Sequence, residues 1–141
     1  MQHHIQRTPF VIGTASIEPQ MTVQLLGVTL DSDLSMKSHV SRTISTCFYQ
    51  LRRLKSIRRS LPTEATKSLV SALVFSRCDN QNGLFTGIAQ RQINRLQGIL
   101  NASAKLIHGG SRSDHVTPLL RDKLHWLLFQ QRITYKLCLT V

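Results

Sequence analysis

Acidic side chains are what this sequence has least of: 7 Asp and Glu stand against 18 Lys and Arg in 141 residues. The net charge of +11 and pI near 10.7 disfavour cationic partners and favour polyanions, with nucleic acid ahead of an anionic membrane surface. Aromatic residues are scarce at 6%, including one tryptophan, so the core must be built mainly from aliphatic side chains. Cysteine is limited to Cys47, Cys78 and Cys138, an odd set far apart in the chain. That excludes a disulfide framework, and each reads as a small buried apolar residue in a reduced, intracellular setting, nuclear or cytoplasmic. The start Met1-Gln2-His3-His4 lacks the charged and apolar regions of a signal peptide. Long apolar runs are missing too: Leu69-Val70 and Leu73-Val74-Phe75 are short and interrupted, which excludes a membrane span.

The chemistry of common enzyme classes is equally thin. No serine sits in a Gly-x-Ser-x-Gly elbow, and the glycines follow no strand-to-helix phosphate loop. His108, His115 and His125 lack the paired spacing of zinc ligands. Asp31-x-Asp33 is the one pair that invites a metal, but its place at the end of an apolar run before Leu34-Ser35 points to turn or helix-start duty instead. No internal repeat and no low-complexity tract is present.

What is there is helical periodicity on a basic background. Phe10 to Gly13 and Met21 to Leu30 read as two strands joined by a polar connection, a small N-terminal β hairpin. From Ser38 to about Arg59, Val40, Ile44, Cys47, Phe48, Leu51, Leu54 and Ile57 recur at threes and fours, the stripe of a long helix. Between Asp33 and Glu64 the chain has no acid, while Lys37, Arg42, Arg52, Arg53, Lys55, Arg58 and Arg59 are all positive. Such a run is either a solvated face or a surface that tracks phosphates. Pro62 restarts the chain into a helix striped by Leu69, Val70, Leu73 and Val74, and a third helix from Ala89 to Ile107 is striped by Ile93, Leu96, Leu100 and Ala104. Gly109-Gly110 ends it. Thr117-Pro118 opens a short helix bearing Leu119, Leu120 and Leu124. His125-Trp126 then forms a packed corner, and Ile133 and Leu137 begin an amphipathic helix beyond it. The pattern stops without a cap at Leu139-Thr140-Val141, as a truncated helix would. The predicted fold is α+β: mostly α, with the hairpin first and then about five helices as an antiparallel bundle.

Several stretches also carry a family likeness. Ser113-Asp114-His115-Val116-Thr117-Pro118-Leu119-Leu120, Leu124-His125-Trp126-Leu127, Gln131-Arg132-Ile133 and Tyr135-Lys136 resemble the segment after the palm in reverse transcriptases of LINE-type (jockey and CR1-like) non-LTR retrotransposons. Leu26-Gly27-Val28-Thr29-Leu30-Asp31 with Leu34-Ser35 and His39-Val40 resembles the strand region at that family's palm-to-thumb junction. Ser76, Arg77, Asp79 and Asn82, Ile93-Asn94-Arg95-Leu96-Gln97 and the run from Asn101 to Ile107 agree as well. Pro9, Cys78, Asn80, Gln81 and Leu128 depart from the family pattern, as expected of a decayed element copy.

The resemblance implies three segments: 1-36 as an end-of-palm hairpin remnant, 37-110 as a thumb-like three-helix bundle, and 111-141 as a C-terminal helical segment. It implies a piece of an RNA-directed DNA polymerase without the catalytic carboxylates, since no adjacent Asp-Asp pair occurs. Such a piece is not an enzyme by itself and needs no cofactor; magnesium belongs to the full-length polymerase, whose carboxylates hold the metal ions. Its partners would be the missing palm and an RNA/DNA hybrid gripped without sequence preference, with no membrane involved. The nucleic-acid-binding candidates are Arg52, Arg53, Lys55, Arg58 and Arg59, with Lys105 and Arg112 as additions. Asp114, His115, Pro118, His125, Trp126 and Arg132 are the structural motif. A basic helical protein-interaction module is the alternative from a different class.

Overall fold

The computed structural model describes residues 8–80, 82–110 and 115–140. Gln6, Arg7, Gln81, Arg112, Ser113, Asp114 and Val141 lie outside the described residues. The described fold is α+β and mostly helical, with two N-terminal antiparallel hairpins followed by five α-helices.

The N-terminal pairing differs from the single hairpin that the sequence suggested. Strand β1 (Phe10–Ile12) pairs with β2 (Ala15–Ile17), and β3 (Thr22–Leu25) pairs with β4 (Val28–Asp31). Two glycines cause the difference. Gly13 has φ +62 in the turn between β1 and β2, and Leu26 and Gly27 both have positive φ, 49 and 83, between β3 and β4. A two-residue turn with both φ values positive matches the strand twist and folds the chain back at once, so the run from Met21 to Leu30 breaks in the middle. Only the second hairpin joins the core. Val28 is buried, Thr29 N–H donates to His39 Nδ1 at 3.3 Å, and Arg42 donates to Gln24 at 3.3 Å. Strands β1 and β2 are exposed throughout.

Helix α1 (Lys37–Ile57) starts from a polar turn. Asp31 accepts from Ser38 N–H and Ser35 hydroxyl, both at 3.2 Å, and Asp33 accepts from Ser35 N–H at 3.1 Å. These carboxylates thus satisfy helix-start and turn donors. Val40, Cys47, Leu51 and Leu54 are buried along one stripe of α1. A 3-10 turn (Arg58–Ser60) leads to α2 (Thr63–Val70), which continues through a π-helical stretch (Ser71–Phe75) into α3 (Ser76–Cys78) as one rod. After a 3-10 turn (Asn82–Phe85), α4 (Gln90–His108) packs on α1 and α2 and ends at Gly109, whose φ is +67. Arg95 reaches Ser41 near the starts of α4 and α1, and Arg58 reaches Ile107 near their ends, so these two helices run the same way. The rod between them runs back, bringing Cys78 to Cys47. Consecutive members are therefore antiparallel.

The C-terminal segment closes over this bundle. A π-helical turn (Leu119–Lys123) places Leu120 and Leu124 in the core, and the chain turns at His125, whose φ is +53. Helix α5 (Phe129–Thr140) buries Phe129 and Ile133. Its first turn is capped by side chains: Phe129 N–H donates to Gln97 of α4 at 2.7 Å, and Leu128 N–H donates to Gln131 of α5 itself at 3.0 Å. One apolar cluster runs from Val28 and Met36 through the bundle to Leu120, Phe129 and Ile133. All three expected segments contribute to it, and β1 and β2 stand outside.

This contrast is measurable. Leu96 is 0% exposed and Val11 is 73% exposed. Leu96→Ala should cost about 2–5 kcal/mol in chemical denaturation, whereas Val11→Ser should stay within about 0.5 kcal/mol.

Candidate nucleic-acid interface

Burial of Leu51 and Leu54 fixes the rotation of α1 and turns the intervening side chains outward. Arg52, Arg53, Lys55 and Arg59 are exposed. The Arg53 guanidinium lies over the Tyr49 ring, 5.9 Å from its centroid, which steadies it without removing its charge. Ion pairs among the described residues join Lys37 to Asp33, at 3.9 Å, and Arg132 to Asp79; neither touches this face. Glu64 and Asp122 are exposed acids on neighbouring elements, and neither forms an ion pair among the described residues.

Arg58 takes a different role from the one assigned by sequence. Its Nε donates to Leu106 O at 2.9 Å, one Nη to Ile107 O at 2.7 Å, and the other to Leu61 O at 2.9 Å. These carbonyls belong to the end of α4 and the turn after α1, where helical partners run out. The fork of Arg58 is occupied by these three carbonyls, unlike those of its exposed neighbours. Lys105 is half-buried on the last turn of α4, and its carbonyl accepts the N–H groups of Gly109 and Gly110 that close the helix.

The structure adds cations that periodicity alone could not gather. Burial first, and then the charges of Lys123, Lys67 and Arg58, hold His108 below its ordinary value. Lys67 on α2 and Lys123 on the π-helical turn thus surround His108 of α4 together with Arg58, at one electropositive end of the bundle. No sequence signal links positions this far apart.

The motif residues serve the C-terminal closure. Trp126 meets Phe75 edge-to-face at 4.3 Å between centroids, and the Arg132 guanidinium lies 5.0 Å from the same ring. Arg132 also binds Asp79 through both carboxylate oxygens. The acid just past α3, the ring at the end of the π-helical stretch, the ring at the corner and the cation of α5 thereby form one cluster. Pro118 opens the π-helical turn with φ −62, where its missing N–H is harmless. His125 supplies the corner through its backbone, but its ring is exposed, so the packed hinge is Trp126 alone. His115 is exposed as well.

Two clefts flank the bundle. A polar one of about 250 Å³ is lined by Gln24, His39, Arg42, Thr43, Thr46, Arg77 and Asn80, and an apolar one of about 490 Å³ by Leu25, Leu26, Val28, Leu30, Leu84 and Lys136. Among the described residues no group of three His, Cys, Asp or Glu could hold a metal ion, and no helix is long and apolar enough to cross a membrane. No family model, no curated protein and no solved structure matches this chain.

Two expectations follow from these contacts. Arg58→Ala leaves two helix-end carbonyls without their donor and should cost about 1–3 kcal/mol in urea unfolding, against less than about 0.5 kcal/mol for Arg52→Ala. The second concerns acid. Burial and then the charge of Arg42 hold His39 below its ordinary value, against the opposing pull of Asp31, and its Nδ1 must stay unprotonated to accept from Thr29. With His39 and His108 both depressed, the unfolded chain takes up protons first. Their stability is therefore complete above the ordinary histidine pKa of about 6.5 and is lost as pH falls below it. Melting temperatures should decline between about pH 7 and pH 5, less steeply in a His39→Gln/His108→Gln variant; a rise on acidification would contradict the assignment.

Proposed function

We propose that the chain is the post-catalytic part of a LINE-type RNA-directed DNA polymerase, acting as a template-primer binding module and not as an enzyme by itself. The observation that carries the reading is the outward side of the last turns of α1 and the 3-10 turn after it, where Arg52, Arg53, Lys55 and Arg59 are exposed and, among the described residues, ion-paired with no carboxylate. A helix end displaying several cations suits a duplex backbone, which presents phosphates whatever the sequence. The electropositive end formed by Lys67 and Lys123 around His108 extends that surface. Magnesium and the metal-bearing carboxylates belong to the palm of the whole polymerase, in a nuclear or cytoplasmic setting.

The exposed apolar strands support the same reading. Phe10, Val11, Ile12 and Ile17 are all more than half exposed, and Met21, Val23 and Leu25 follow on β3 and its approach. Apolar strands left in water need a covering partner, and the palm of the same polymerase is the occupant this proposal assigns. The same strands favour a second reading, in which the chain is a basic helical module for binding another protein and the cations serve solubility.

Salt titration separates them. With about four phosphates engaged, log affinity for an RNA/DNA hybrid should fall against log salt with a slope of about −3 to −4. Reversal of charge in Arg52→Glu/Arg53→Glu/Arg59→Glu should flatten the slope to about −1. Unchanged hybrid binding by that variant would favour the protein-interaction reading, and a slope near zero in the parent chain would dispose of the nucleic-acid one.

A further inference from the structure

Two thiols in the core have no part in gripping a polyanion. Cys47 of α1 and Cys78 of α3 are 0% and 1% exposed, and their sulfur atoms lie 3.5 Å apart. Cys47 Sγ is also 3.7 Å from the carbonyl of Val74, in the π-helical stretch leading into α3. The third thiol, Cys138, is exposed on α5.

We propose that Cys47 and Cys78 are a reversible redox pair, which a peroxide oxidises to an intramolecular disulfide joining α1 to α3. The sulfurs are already in contact. The separation has to shorten from 3.5 Å to a bond of about 2.05 Å. The pair is also chemically unequal. The contact with Cys78, helped by the Arg77 charge and against the opposing effect of burial, holds the Cys47 thiol below its ordinary value. The same contact, then burial, pushes Cys78 far up. In this proposal Cys47, the thiol on the side of the Arg77 charge, takes the attacking role and Cys78 the resolving one.

In the first step the Cys47 sulfur attacks one peroxide oxygen and the O–O bond breaks. The other oxygen leaves as water with the proton of Cys47, and Cys47 becomes a sulfenic acid. In the second step the Cys78 sulfur attacks the Cys47 sulfur, the S–O bond breaks, and the hydroxyl leaves as water with the proton of Cys78. Two thiols lose two electrons, and hydrogen peroxide becomes two waters. Burial makes the reaction wait on local opening, and the π-helical stretch beside the pair is the irregular segment that can supply it. Once formed, the bond fixes the basic helix to the element whose next residue, Asp79, anchors Arg132 of α5.

The test uses the full chain carrying Cys138→Ser, so that the exposed thiol neither competes nor links molecules. After peroxide treatment and quenching, the protein is denatured, its remaining thiols are alkylated and its peptides are read by mass spectrometry. The expected result is protection of both cysteines, a peptide joining Cys47 to Cys78, reversal by dithiothreitol, and a melting temperature higher by about 5–10 °C in the oxidised form. In a Cys78→Ala version the sulfenic acid should persist at Cys47 and be trapped by dimedone. Full alkylation of both thiols, overoxidation of Cys47 with Cys78 still free, or links only between molecules would overturn the proposal; the parent pair decides this even if the alanine variant fails to fold.

Discussion

Everything in this molecule depends on burying one stripe of α1. Val40 and Cys47 are wholly buried and Leu51 and Leu54 nearly so, packed against α4 and the rod of α2 and α3. That stripe lies on a helix without a single acidic residue, so its solvent face can only be neutral or positive. Rotating α1 to hide the arginines would drag Leu51 and Leu54 into water at about 1.5–3 kcal/mol each. The apolar contact that makes the fold is thus the same contact that displays the charge.

Polar rivets at the helix ends decide which cations are displayed. Arg58 is drawn inward because the end of α4 and the turn before α2 offer it three carbonyls, and a guanidinium has the fork to meet all of them. Arg132 is drawn onto Asp79 in the same way, above the Phe75 ring that also holds Trp126. Arg52, Arg53, Lys55 and Arg59 have no such offer and stay outside. The chain's basic excess is therefore divided between folding and surface, and position along α1 alone does not reveal the division.

The helices were legible because threes and fours in Val40, Cys47, Leu51 and Leu54, or in Ile93, Leu96 and Leu100, are a local record of burial. Gly109 ended α4 as its glycine pair suggested, with φ +67. The strands were less so. Alternation reads equally well through Leu26-Gly27, and only the backbone shows that the chain turns there and pairs with itself. The capping contacts of Arg58 were hidden because they join residues 48 and 49 apart, which no periodicity encodes. The gathering of Lys67, His108 and Lys123 at one end was hidden for the same reason. Arg112 and Asp114 lie outside the described residues, and their parts in the interface and motif rest on the resemblance alone.

The proposal that the outward face of α1 grips a duplex makes a claim about place as well as strength. The most direct measurement is residue-resolved: backbone and guanidinium NMR shifts of the full chain titrated with a short RNA/DNA hybrid. The account expects the largest changes at Arg52, Arg53, Lys55 and Arg59, smaller ones at Lys67 and Lys123, and none along β1 and β2. Shifts concentrated on Phe10, Val11 and Ile12, with the last turns of α1 unmoved, would contradict it.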